Sequence, residues 1–217
     1  VADEWKVGGF RTSTIARTLQ AGVNYRIRFE YFQEGGGAAA SFTWKRKNET
    51  RDLFIEHLNK ADMIVACFGH SSDSEAEGGD RSFFLPEADS QLITRIAKCK
   101  KPIIGVVNAG GNIGMQSWEP SLKGLLWGWY AGQEGGHAIA DVLFGKVNPS
   151  GKLPMTFEKK WEDNPAYNSY HDPDGDKHVK YTEGIYIGYR GYDKLGRDVQ
   201  YPFGYGLSYT SFKLSDM

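Results

Sequence analysis

The chain has little of what would mark it as a nucleic-acid, membrane or disulfide protein. It holds 2 cysteines in 217 residues, Cys67 in an apolar run and Cys99 in a lysine-rich stretch. Two cysteines cannot build a disulfide framework or a cysteine-spaced zinc site. No run of 18 apolar residues occurs, so no segment reads as a membrane-spanning helix. Neither charge sign dominates: 26 basic residues face 27 acidic ones. A basic footprint of the kind nucleic acid or an anionic membrane selects is missing, and no nucleic-acid or membrane partner is expected. The first residues, VADEWKVGGF, lack the charged-then-apolar pattern of a secretion signal.

What is present divides near residue 48. Residues 25–31 (YRIRFEY) and 40–45 (ASFTWK) alternate apolar or aromatic with polar residues, the period-two pattern of half-buried strands. Glu34-Gly-Gly-Gly37 lies between them as a turn. No helix follows these glycines, so they do not form a phosphate cradle. From residue 50 the pattern changes. Residues 51–60, 85–98 and 133–144 read as helices with apolar faces, and Gly145 is placed to end the last. Residues 61–69 (ADMIVACFG), 102–107 (PIIGVV) and 123–129 (KGLLWGW) read as strands buried on both faces. Alternating helices and strands imply an α/β fold, a mostly parallel sheet with helices on both faces, preceded by a small all-β fragment. The last 70 residues or so interleave aromatics and glycines without a regular period.

In an open α/β sheet, ligands bind beyond the carboxyl ends of the strands. The loop after residues 61–69 carries Asp73, Glu75, Glu77 and Asp80 within eight positions, with Gly78 and Gly79 beside them and Arg81 at its end. Crowded carboxylates raise one another's pKa, as a general acid at neutral pH requires, and Arg81 can pair with one of them. A solvated acidic surface loop is the competing reading. Other constellations are weaker. His70-Ser71-Ser72 lacks a nucleophile elbow and a third triad member. Asp172-Pro-Asp-Gly-Asp176, with Glu183 at the twelfth position, has Lys177 where a calcium loop needs glycine, so a polar turn fits better. The five histidines show no paired-ligand spacing. No metal and no cofactor are expected.

The motifs taken in order resemble a known family. Glu75-Ala-Glu-Gly-Gly-Asp-Arg81 is followed by Leu85-Pro86, Tyr130-Ala-Gly-Gln-Glu-Gly-Gly136, Ala140-Asp-Val-Leu-Phe-Gly145, Asn148-Pro-Ser-Gly-Lys-Leu-Pro154, Glu183-Gly-Ile-Tyr-Ile-Gly-Tyr-Arg190 and Tyr201-Pro-Phe-Gly-Tyr-Gly-Leu-Ser-Tyr-Thr210. This series resembles the C-terminal α/β-sandwich domain of glycoside hydrolase family 3, over residues 50–213. Residues 1–47, with Leu19-Gln-Ala-Gly-Val-Asn-Tyr25 and Phe29-Glu-Tyr-Phe-Gln33, resemble the tail of a protective-antigen-type β-sandwich module, which some members carry inserted in that domain. Residues 48–217 would then be the sandwich domain.

The resemblance implies retaining hydrolysis of terminal β-linked glucosides or xylosides. An aspartate on a preceding (β/α)8 barrel attacks the anomeric carbon, and a sandwich-domain carboxylate serves as acid, then base. Here that carboxylate falls on Glu75 or Glu77, with Glu75 preferred, while Asp80 and Arg81 shape the loop or touch substrate. The barrel and its nucleophile are not in this sequence, so this chain alone is expected to be inactive. The implied partners are a β-linked oligosaccharide and the barrel domain. Oligomerisation stays open, and a secreted or periplasmic location would suit a polysaccharide-degrading relative. A non-catalytic carbohydrate-binding module of the same fold is the alternative.

Overall fold

The computed structural model describes residues 12–30, 40–44, 53–170, 172, 175–213 and 215. The chain divides into two units, residues 1–51 and 52–217, close to the change in sequence texture at residue 48.

In the first unit the described residues form no strand, against the expectation for residues 25–31 and 40–45. Ile27, Phe29, Phe42 and Trp44 of the two alternating segments are all more than half exposed. An alternating segment becomes a strand only when a neighbouring strand takes its amides and a second layer covers its apolar face. The Phe29 and Phe42 rings lie 6.1 Å apart, so the two segments approach each other without forming a ladder. The three glycines between them lie outside the described residues.

The second unit is built on a three-stranded parallel sheet. Its elements run α1 (Leu53–Lys60), β1 (Ile64–Gly69), α2 (Glu87–Ala97), β2 (Ile103–Asn108), β3 (Gly124–Trp127), α3 (Gly135–Leu143), β4 (Phe157–Glu158), α4 (Tyr189–Leu195) and β5 (Val199–Tyr201). Strand order in the main sheet is β1-β2-β3. Ile64 pairs with Ile103 and Gly69 with Asn108, and β3 pairs from Gly124 opposite Ile104 to Trp127 opposite Val107. The three helices and three strands expected from the sequence therefore form, with their described ends within a few residues of those expected.

Burial follows the expected pattern only in part. β2 is the central strand, and Ile103, Val106 and Val107 are essentially inaccessible. β1 is an edge strand: Ile64, Ala66 and Phe68 are buried, but Val65 is 48% exposed and Cys67 is exposed as well. The expectation that β1 is buried on both faces is thus corrected, because among the described residues nothing covers its second face. Ile93 and Ile96 of α2 fill the covered side together with Ile113, Met115 and Trp118. Arg95 of α2 sits 4.9 Å over the Phe54 ring of α1. α3 ends as expected: Gly145 is left-handed at φ 71°, its N–H donates to Val142 O, and the Lys146 N–H donates to Asp141 O.

The sequence pattern does not reveal β4, β5 or α4. β4 and β5 are two and three residues long and pair antiparallel across some forty positions, too short for any period to show. Their role is to bring Phe157 under the sheet, where it is 1% exposed and its ring lies 4.6 Å from that of Trp127. We expect Phe157→Ala to destabilise this unit by about 3–5 kcal/mol. Urea unfolding measures this, and a loss below about 1 kcal/mol would mean that Phe157 does not tie the small sheet to the large one.

Candidate active site

The loops that leave the carboxyl ends of β1, β2 and β3 meet at one carboxylate. β1 ends at Gly69, whose φ of 143° suits no residue with a side chain, and a Cβ there would lie 1.9 Å from the Asn108 carbonyl oxygen. The chain then turns sharply. His70 N–H donates to Asn108 O at 2.8 Å, and Asp89 of α2 accepts the Gly69 N–H at 3.0 Å. His70 Nδ1 and Ser74 Oγ are 3.0 Å apart, while the Ser74 and Glu75 amides both donate to Ser71 O. The serine beside His70 is therefore Ser74, which fastens a turn; neither Ser71 nor Ser72 stands there as a nucleophile.

Glu75 is held through one oxygen and packs close to a glycine with the other. Its Oε2 accepts the Tyr130 hydroxyl at 2.7 Å and lies 3.3 Å from Arg81 Nε. A Cβ at Gly110 would come within 2.4 Å of its Oε1. Burial and then the hydrogen bond to Glu75 raise the Tyr130 hydroxyl above its ordinary value, so Tyr130 remains a donor at neutral pH. Tyr130 follows Trp129, whose backbone is left-handed at φ 52°. That conformation costs a bulky residue on the order of 1–3 kcal/mol. The Trp129 ring, within 6.3 Å of Trp127 and 6.2 Å of Phe157, holds it in place.

Arg81 closes the far end of the loop. Its Nη2 donates to Asn112 O at 2.7 Å and its Nη1 to Ser82 O at 3.1 Å. Asp80 accepts the Tyr170 hydroxyl at 2.9 Å, a bond that raises the Tyr170 hydroxyl above its usual range. Phe83 O accepts the Gly114 N–H at 2.7 Å, and Gly114 leaves room for the Phe83 and Phe84 rings. Glu77 lies between the two anchors. It is exposed and, among the described residues, forms no hydrogen bond or ion pair.

Of the four residues singled out in the sequence, the structure brings Glu75 and Arg81 together, gives Asp80 a separate tyrosine, and leaves Glu77 open. Gly110 carries no signal in the sequence, His70 is read there only beside Ser71 and Ser72, and Tyr130 only as part of a motif. Tyr130 heads the Tyr130–Gly136 motif, a signal without a role until the fold places it. A cavity of about 340 Å³ lies beside the loop, lined by Cys67, Gly69, His70, Ser71, Asp89 and Asn108, but neither Glu75 nor Glu77 reaches it. Among the described residues no cluster of His, Cys, Asp or Glu side chains could hold a metal ion. Asp172 spends its oxygens on the Gly175 and Lys177 amides, as a polar turn does.

The sequence pattern of the glycosyl hydrolase family 3 C-terminal domain matches residues 4–189. The chain belongs to this family. Among curated proteins it is 38% identical over 216 residues to "Probable beta-glucosidase H" of Aspergillus oryzae, covering 92% of this chain and 26% of that protein. It is 45% identical to "Probable beta-glucosidase K" of Emericella nidulans, over 75% of this chain and 19% of that one. Among solved structures, a β-glucosidase from Kluyveromyces marxianus in complex with glucose aligns with a TM-score of 0.67 at 39% identity, over 72% of this chain and 18% of its own. β-Glucosidase 3B from Thermotoga neapolitana in complex with glucose aligns at 0.68 and 38%, over 75% and 24%. The chain thus spans about a quarter or less of these relatives. Its parallel sheet with alternating helices is the α/β sandwich of this family-3 domain.

His70 offers a test of how the loop is seated. It is 6% exposed, and burial, followed by the nearby Arg81 charge, pushes its imidazole below the ordinary value, with Glu75 and Asp89 opposing. The unfolded chain therefore takes up a proton near pH 6.5 that the folded one refuses, and stability falls as pH drops through that value. His70→Asn should flatten this dependence in urea unfolding between pH 7.5 and 5.5. Equal slopes for the two proteins would show that His70 titrates alike folded and unfolded.

Proposed function

We propose that this chain is the sandwich-domain part of a retaining β-glucosidase and that the Glu75–Arg81 loop supplies its acid/base carboxylate. The observation that carries this reading is a loop fastened at both ends with an uncommitted carboxylate, Glu77, facing solvent between the anchors. A general acid must give up a proton and take one back in each cycle, so a carboxyl oxygen must be open to the leaving group. Glu75 has its oxygens against Arg81, Tyr130 and Gly110. The sequence reading prefers Glu75; the geometry supports Glu77.

In this reading the nucleophile belongs to a barrel domain outside this chain. Retaining geometry places the two carboxyl groups about 5–5.5 Å apart. A donor projecting from the sandwich surface, without a cavity of its own, suits a site completed by a second domain. Glu77 protonates the leaving oxygen as the glycosidic bond breaks and the nucleophile bonds to the anomeric carbon. It then removes a proton from the water that releases the sugar. The relatives named above are β-glucosidases, which favours terminal β-linked glucose over xylose. Residues 1–47 are read as the tail of an inserted β-sandwich module. The matches of 92% and 75% of the chain to different relatives accord with a unit that not all of them share.

In the full-length enzyme, Glu77→Ala should lower kcat/KM for phenyl β-glucoside by about 10²–10⁴, and far less for 2,4-dinitrophenyl β-glucoside, whose leaving group needs no proton. Azide should restore turnover of the second substrate and yield the β-glucosyl azide. An equal loss on both substrates without azide rescue would remove Glu77 from the role, and the same signature in Glu75→Ala would move it there.

A further inference from the structure

Glu75 is a carboxylate that the proposed reaction does not use, and it is tied to both Tyr130 and Arg81. We propose that Glu75, Tyr130 and the Gly110-Gly111 turn form a latch that positions the neighbouring Glu77 carboxylate, so that Glu75 is a positioning residue rather than the proton donor. This rests on the reading of Glu77 as the acid/base group.

Four observations converge. Glu75 and Arg81 flank the exposed stretch 76–80 and close it into a bow through the contact of Arg81 Nε with Glu75 Oε2 at 3.3 Å. Both feet of the bow rest on glycines of the loop after β2. A Cβ at Gly110 would meet Glu75 Oε1 at 2.4 Å, and one at Gly111 would meet Arg81 Nη2 at 2.8 Å. Tyr130 reaches the same carboxylate from the loop after β3 at 2.7 Å, aimed by the left-handed backbone of Trp129. His70 and Ser74 fasten the turn just before Glu75. The loops after all three parallel strands thus fix one point, two residues from Glu77.

A partly exposed ion pair adds little to global stability, so the effect of the latch lies in where it puts Glu77. Proton transfer is sensitive to such placement: a displacement of about 1 Å costs about 10²-fold in rate. Tyr130→Phe removes one hydroxyl and keeps the ring. Glu75→Gln keeps the size and removes the charge. Gly110→Ala pushes the carboxylate off its seat.

The test uses the full-length enzyme and compares kcat/KM for phenyl β-glucoside, which needs the acid, with that for 2,4-dinitrophenyl β-glucoside, which does not. Each variant should lose about 10- to 100-fold on the first substrate and no more than about threefold on the second, with an unchanged thermal midpoint for Tyr130→Phe and no azide rescue. Tyr130→Phe combined with Glu75→Gln should cost less than the product of the single losses, because both act through one latch. Equal losses on both substrates, or none on either, would overturn the latch. Azide rescue of Glu75→Gln would make Glu75 the donor and overturn both the latch and the Glu77 reading. Absence of leaving-group dependence in Glu77→Ala, with it present in Tyr130→Phe, would overturn the Glu77 reading, and with it the latch as proposed.

Discussion

The contact between Gly69 and the Asn108 carbonyl, where the ladder of β1 and β2 runs out, governs the geometry beyond it. The strands stay paired to their last residues, so the two backbones are still in contact where the loops begin. A residue with a Cβ at position 69 would force them apart. Because they touch, His70 can donate to Asn108 and reverse the chain over the sheet edge, and the acidic loop comes down on the glycines at 110 and 111. Small residues here serve close approach of backbone to side chain; at both 110 and 111 a charged group lies where a Cβ would intrude.

Arg81 then does for the far end of the loop what His70 and Ser74 do for the near end. Its guanidinium joins the Glu75 carboxylate, the Asn112 carbonyl and the Ser82 carbonyl. A planar fork with several fixed donors suits this task; a lysine would supply charge without the geometry. Asn112 in turn donates to Glu158 O on β4, and the Glu158 carboxylate accepts Tyr192 and Asn164. Burial of Tyr192 beside Glu158 keeps the phenol protonated as a donor. A hydrogen-bonded path therefore links the loop to the aromatic C-terminal stretch that has no visible period in the sequence.

The acidic loop was legible because it combined composition with position: carboxylates, glycines and an arginine directly after a buried apolar run. The six helices and strands of the sheet layer were legible for the same kind of reason, since each carries its own period of about 3.6 or a continuous apolar core. β4, β5 and α4 were not, because elements of two to seven residues, closed by pairing or by Gly188 and Gly196, have no pattern to read. The strands expected in residues 25–31 and 40–45 show the opposite failure. Their alternation is real, but a ladder needs a partner strand and a covering layer, and the described residues supply neither.

The order of the motifs and the alternation of helix and strand by themselves determined the family, the parallel α/β layer and the loop proposed to supply the carboxylate, because these depend on residue type and spacing along the chain. Which carboxylate is bound and which is free was decided only by the tertiary structure. Glu75 and Glu77 are the same residue type two positions apart in one loop. Nothing local separates them until Tyr130, fifty-five residues on, and Gly110, thirty-five residues on, arrive beside the first and leave the second exposed.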